Sequence, residues 1–466
     1  MGTGEELFSQ LDKLFKPRSV AIVGLPQGMK TGRLFLVALQ DIGFAGPIYP
    51  VNPNADYIDN LKCYPDISSI KDDVDLAIVL VGRDAAPEVV RKCAARGVKG
   101  VVLFTAGYKE TGSPEGLRME EEMAETARAS GMRLFGPNCM GIYAPRPGLS
   151  FFPGLSSEPG HLGLISHSGS LANIIGRQAP GMGLAFSKAV SLGNEADLQS
   201  ADFLAYFAQD PETRIIGGYI EGIKDGPYFL EALKEAAAAK KPVILWRVGL
   251  TPEGGRAASS HTGALAGSEK IWQGLMNQYG AIRVSGWDQW VETMMAFYLL
   301  GPCRGRRMAV ISGPGGLAVS AAEAVGRQGL KMAPLDGQTV KELENHIPPT
   351  GTSLANPVDV SLTAHLDMNI FSKAASAVGK DPNVDAVAVI GSGLDENTNN
   401  QYVEAVIKAA KESAKPFLTV AIPGMPHDTG PKFCRAGIPF FDTAEKAMAA
   451  YARVVDYYSC NKGARY

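Results

Sequence analysis

The feature that most restricts the fold of this chain is a pattern that occurs three times: a short β-branched run, a glycine-rich turn, then an amphipathic helix. It opens at Ser19-Val-Ala-Ile-Val-Gly24 and at Leu162-Gly-Leu-Ile-Ser166, the latter followed by His-Ser-Gly-Ser170. It opens a third time at Met308-Ala-Val-Ile-Ser312, followed by Gly-Pro-Gly-Gly316. In each case the hydrophobic period changes across the turn from that of a strand to that of a helix. Apolar runs such as Val74–Val81 suit strands buried in a parallel sheet and are too short to span a bilayer.

Further strands are expected at Pro47–Val51, Leu76–Val81, Gly100–Phe104 and Arg133–Phe135, with helices at Arg33–Ile42, Ala86–Arg96 and Gly116–Ser130. Such alternation predicts a parallel sheet covered on both faces. The Pro/Gly-rich stretch Ala144–Gly160 reads as a linker. Beyond it lies an internal repeat. Asp210-Pro-Glu-Thr-Arg-Ile-Ile recurs in kind as Asp381-Pro-Asn-Val-Asp-Ala-Val, and each is followed by a helix and a Lys-Pro-led strand, at Lys241 and Lys415. A length of 466 residues fits about three domains. The expected architecture is α/β: a Rossmann-like domain over 1–143, then two flavodoxin-like doubly wound domains over 144–303 and 304–466. Arg304, Arg306 and Arg307 are expected in a solvated hinge between the last two.

A net charge of −3 gives no general attraction to nucleic acid or to an anionic membrane, so an anionic ligand must be held by local amides and dipoles. The six cysteines are scattered without a Cys-x-x-Cys pair, which argues against a zinc site or a disulfide framework and suits a reducing cytoplasm. The acidic N-terminus lacks the pattern of a signal peptide.

Four stretches carry candidate chemistry. His261 sits among small residues in Gly254–Gly267, which reads as a mobile loop; taken alone, a loop histidine without a positioned partner reads as an idle solvent-facing side chain, whereas as a nucleophile its neutral imidazole can attack phosphorus. Glu221 is expected at the carboxyl end of a buried strand, where ligands bind in such sheets and a carboxylate can hold one imidazole nitrogen. It could equally cap the next helix. Ser166, Ser168, Gly169 and Ser170 lie between a strand and a helix, so hydroxyls and free amides at a helix N-terminus offer an anion site or an ordinary cap. The turn Gly24–Gly32 lacks the full dinucleotide and Walker spacings, and Gly136–Gly141 forms a second tight turn on the same sheet. Ser-His-Ser is not a nucleophile elbow.

Together Tyr49-Pro-Val-Asn-Pro53, Gly136-Pro-Asn-Cys-Met-Gly141, Ser166-His-Ser-Gly169, Tyr219-Ile-Glu-Gly-Ile223, Ser259-Ser-His-Thr-Gly-Ala-Leu-Ala-Gly267 and Asn356-Pro-Val-Asp359 resemble the NDP-forming acyl-CoA synthetases. The likeness is strongest to the α subunit of ADP-forming acetate–CoA ligase, and it extends to the succinyl-CoA synthetase α subunit over the first two domains. The resemblance implies that His261 is phosphorylated and steadied by Glu221, and that Ser166, Ser168, Gly169 and Ser170 hold the phosphoryl group. It implies a first domain that binds CoA through Gly24, Gln27, Lys30, Gly32, Val51, Asn52, Pro53 and Asn138. Leu25 and Pro26 stand where the family has small residues, and His167 where it has glutamine. Trp246 and Arg247 stand where smaller or lysine-bearing sequences are common. The chain has no visible ATP-grasp domain, so the resemblance implies a partner β subunit that supplies it and holds Mg2+ with ADP or ATP, in a hetero-oligomer. No metal site is expected on this chain. A CoA-binding regulatory subunit without ligase activity is the alternative. An NAD-dependent dehydrogenase is disfavoured by the incomplete glycine fingerprint and by Asn52-Pro53 in place of a ribose-binding acid.

Overall fold

The computed structural model describes residues 4–262, 267–349, 353–365, 367–422 and 425–460. The chain divides into two compact units, one over Met1–Gln178 and Ala185–Ser285, the other over Ala179–Leu184 and Gly286–Tyr466.

The first unit holds two sheets. Its first contains β1 (Val20–Val23) and β2 (Ile48–Val51), then, beyond a small hairpin of β3 (Tyr57–Ile58) and β4 (Leu61–Lys62), β5 (Leu76–Val79), β6 (Gly100–Leu103) and β7 (Arg133–Phe135). The order is β2-β1-β5-β6-β7, all parallel, so the winding reverses between β1 and β5. Val23, Val79, Val101, Leu103, Tyr108 and Met123 bury one face against the flanking helices. Each such side chain contributes about 1.5–3 kcal/mol by leaving water.

The second sheet is built from β8 (Gly141–Tyr143), β9 (Leu162–Ser166), β10 (Phe186–Ser191), β11 (Ile215–Ile220), β12 (Val243–Arg247) and β13 (Ile282–Val284). Its order is β13-β12-β11-β9-β10-β8, parallel except for the antiparallel edge strand β8. Here the winding reverses at β9. The stretch expected as a linker is a packed connector. Its first residue, Ala144, bridges to Leu149; Leu149, Phe151 and Leu155 are buried; and the Tyr143 hydroxyl donates to the Ser156 carbonyl at 2.6 Å. Apolar residues between the prolines and glycines give the segment a core to join. The N-terminal helix Gly4–Phe15 ties the two sheets together, its Phe15 stacked on Tyr206.

The second unit holds β14 (Arg307–Ser312), β15 (Lys331–Met332), β16 (Val358–Asp359), β17 (Ala386–Ile390), β18 (Phe417–Val420) and β19 (Phe440–Phe441). The order is β15-β14-β17-β18-β19, with β16 also paired to β14. The repeat seen in the sequence is repeated in hydrogen bonds. Lys241 Nζ donates to the Asp210 carbonyl, and Lys415 Nζ donates to that of Asp381. The Ser166 hydroxyl donates to the Ser168 carbonyl at 2.7 Å, and Ser312 to Pro314 at 2.9 Å. Beside the helix that follows Ser312, however, a Cβ on Gly315 would stand 2.7 Å from Asp359 Oδ2. Arg307 is not a free hinge residue: its backbone N and Nε both donate to Asp385, and Arg306 pairs with Asp456. Among the described residues no helix is long and apolar enough to cross a membrane.

Candidate active site

Both sheets of the first unit present the carboxyl ends of their strands to one cleft of about 520 Å³. Leu80–Gly82 follow β5, Phe104–Ala106 follow β6, Asn138–Met140 follow β7, and His167–Ser170 follow β9. The switch points of wound sheets fall where ligands are expected. Cys139 lines the cleft but is no nucleophile, since burial pushes its thiol up to about 12.

Ser166 is fully buried at the end of β9. Ser168 caps the helix Gly169–Gln178, its hydroxyl accepting the Leu171 amide at 3.3 Å. Ser170 is exposed. A Cβ on Gly169 would stand 2.4 Å from Met140 Cγ, so glycine lets the helix start close against the cleft wall without displacing Met140. The helix N-terminus and its positive dipole end thus line the cleft.

Behind this turn, His167 is buried and held from both sides. Its Nδ1 accepts the backbone amide of Glu221 at 3.2 Å. Its Nε2 lies 3.1 Å from Glu195 Oε1, at ion-pair distance but off the line of a good hydrogen bond. Glu221 follows β11 as expected and is buried. Burial, and then the neighbouring Glu221 carboxylate, push the Tyr219 hydroxyl upward.

Sequence reasoning missed the polar groups that brace this arrangement. Burial pushes the Glu195 carboxyl up, but His167, Lys224 and the Ser200 amide outweigh it and hold it below the usual range. Lys224 donates to the Glu195 carbonyl, and burial lowers its ammonium. Asn194 donates to Glu120 at 2.8 Å and to Glu110, and the side chain of Asn138 donates to it at 3.4 Å. Burial raises Glu120, whereas in Glu110 the Gly107 amide and Asn194 overcome burial and lower it. The usable signal was position: Gly193-Asn-Glu195 follows β10, so it too stands at the carboxyl end of a strand.

The first turn gathers most of the residues expected there. Gly24 takes φ 84° and its amide donates to Val51 at 2.9 Å. Asn52 Nδ2 donates to the Leu25 carbonyl at 2.8 Å, and Gln27 Nε2 to that of Asn54 at 3.0 Å. Val51 is buried, Gln27, Lys30 and Pro53 are exposed, and Gly32 precedes the helix Arg33–Ile42. Leu25 is fully buried and so belongs to the core rather than to the outer face of the turn.

His261 lies on a helix, Pro252–Thr262, where a loop was expected; its side chain and residues 263–266 lie outside the described residues. The signals were present: Thr251 accepts the Gly254 amide on its hydroxyl at 3.0 Å, Pro252 opens the first turn and Glu253 meets the dipole. Gly254 and Gly255 obscured them. This helix rests on the turn Lys109–Thr111, and its Ala258 lies close to Gly249. The Glu221 carbonyl is also close to Gly249, 3.7 Å from where a Cβ would be. Arg247 stacks over Trp272 at 5.3 Å. Among the described residues no group of three or more His, Cys, Asp or Glu could hold a metal ion.

A CoA binding domain matches residues 18–145, and a succinyl-CoA ligase like flavodoxin domain matches residues 159–297. Over 452 residues the chain is 36% identical to the subunit alpha of the ADP-forming acetate–CoA ligase II of Pyrococcus furiosus, covering 95% of this chain and 97% of that one. The chain therefore belongs to the NDP-forming acyl-CoA synthetases, in the family of ADP-forming acetate–CoA ligase α subunits. The ADP-forming acetate–CoA ligase of Methanocaldococcus jannaschii is 36% identical over 353 residues, 75% of this chain and 49% of that longer one. The fold superposes on dinucleotide forming acetyl-coenzyme A synthetase 1 of Ca. Korarchaeum cryptofilum, solved with phosphate and ADP, at a TM-score of 0.85 and 30% identity, covering 97% of this chain and 99% of that one.

Proposed function

We propose that this chain is the α subunit of an ADP-forming carboxylate–CoA ligase that works through an acyl phosphate and phosphorylated His261. The observation that carries the reading is that the helix N-terminus at Ser168–Ser170 opens on the same cleft as the strand ends of the CoA binding domain. Phosphate held by those amides meets an acyl-CoA thioester whose pantetheine runs in from the first sheet, where Gly24, Gln27, Lys30, Gly32, Val51, Asn52, Pro53 and Asn138 hold the nucleotide end. A phosphate oxygen attacks the thioester carbonyl; the C–S bond breaks, and CoA leaves as its thiol. His261 then attacks phosphorus, the P–O bond to the acyl group breaks, and the carboxylate departs. Glu221 steadies the imidazole and the positive charge it acquires. A histidine relay keeps acyl-CoA and ADP in separate places.

The phosphoryl group passes to ADP on an ATP-grasp β subunit, which also holds Mg2+. The domains are 1–143, 144–303 and 304–466, and the buried free cysteines suit the cytoplasm. Incubation with acyl-CoA and labelled phosphate tests the reading. The expected result is an acid-labile, base-stable label on this chain that is lost in His261→Ala; persistent label in that variant sinks the assignment.

A further inference from the structure

We propose that Glu195 is a positioning residue for this reaction, acting through His167 on Glu221. The inference rests on the function proposed above. The loop after β10 holds Glu195 at φ 58°, in the left-handed region that is strained for a residue with a side chain. It also buries the carboxylate, which is 4% exposed. Both costs are borne at one position, directly behind a ring that lines the cleft.

The geometry gives the carboxylate a task. Glu195 Oε1 accepts the Ser200 amide at 2.6 Å and lies 3.1 Å from His167 Nε2. Across the ring, Nδ1 accepts the Glu221 amide at 3.2 Å. A nitrogen that accepts carries no proton, so the neutral ring bears its proton on Nε2, the atom that faces Glu195. The carboxylate favours that tautomer. The other tautomer would set two donors against each other at Glu221 and turn the end of β11 away. Lys224, donating to the Glu195 carbonyl, keeps the loop in register. Glu195 therefore fixes the proton on a ring that in turn fixes the backbone from which the Glu221 carboxylate projects.

The test uses this chain with its partner subunit and compares Glu195→Gln, His167→Gln and the double variant. Glu195→Gln is expected to lower kcat about tenfold, as misdirecting a catalytic group does. KM for CoA and for acyl-CoA should stay within about twofold, and the thermal midpoint should hold. The double variant should match His167→Gln, because Glu195 then has nothing left to act on. Wild-type kcat in Glu195→Gln, losses that multiply in the double variant, or a KM and thermal midpoint that fall together with kcat would each overturn the proposal. Should Glu195→Gln not fold, Glu195→Asp keeps the charge, withdraws it by one methylene and is read in the same way. If wild type itself takes up no label at His261, the reading beneath the proposal fails. If wild type labels and Glu195→Gln labels at the same rate, only the role of Glu195 fails.

Discussion

The Asn194 amide donates to the carbonyl of Pro137 at 3.0 Å, which lays the loop after β10 directly on the turn that ends the first sheet. Gly193 makes that approach possible. It adopts φ 55°, and a Cβ there would stand 2.2 Å from the carbonyl oxygens of both Pro137 and Asn138. Gly193→Ala should cost about 1–2 kcal/mol in backbone strain alone, with the clash added. A lowered thermal midpoint together with weaker CoA binding is the expected outcome, since Asn138 lines the cleft.

Gly169→Ala should separate binding from stability. The new Cβ displaces Met140, whose flexible side chain yields cheaply but forms part of the cleft wall. The displaced Met140 should raise KM for acyl-CoA on the order of tenfold, with the melting temperature nearly unchanged. Unaltered KM would show that acyl-CoA does not use this wall.

Leu25→Ala should do the reverse. Removing a fully buried leucine costs about 2–5 kcal/mol, yet the side chain faces the core and not the outer face of the turn. Thermal unfolding should register the loss, while CoA titration should give a Kd within about twofold of wild type.

Asp75 makes the first sheet sensitive to acid. Burial pushes its carboxyl up, but Arg18 and Lys99 outweigh that and bring it to about 2. The folded value lies below the ordinary aspartate value of about 3.9, so the stabilisation is complete above about pH 4 and disappears as pH falls through 2. Asp75→Asn should lower stability by about 1.5–3 kcal/mol at neutral pH and flatten its slope between pH 4 and 2. Urea unfolding at several pH values measures both.

Strands were legible because buried parallel strands are short runs of Val, Ile and Leu, and β2, β5, β6 and β7 stand where such runs predict them. The helix Arg33–Ile42 was legible from its apolar period and closing glycine. Three features were not. Ala144–Gly160 is rich in proline and glycine, and its burial depends on neighbours far away in sequence. The His261 helix begins with correct capping residues but continues through two glycines, which weaken the local signal. Glu195 reads as an ordinary loop acid, because its partner His167 lies on a different strand end and only the pairing of β9 with β10 brings them together.

The carboxylate of Asp359 beside Gly315 bears on where phosphate goes. The second unit repeats the serine turn and the helix start, and with them the positive end of a dipole. At Gly169 the nearest groups are the uncharged Met140 and Ser191, whereas at Gly315 the chain has placed its own anion. An architecture duplicated without that change would carry a decoy, a second turn competing for the phosphate the reaction consumes. Asp359 answers the dipole from within, so the copy keeps the scaffold while its own carboxylate stands where the proposed site at Ser168–Ser170 would hold a phosphoryl group.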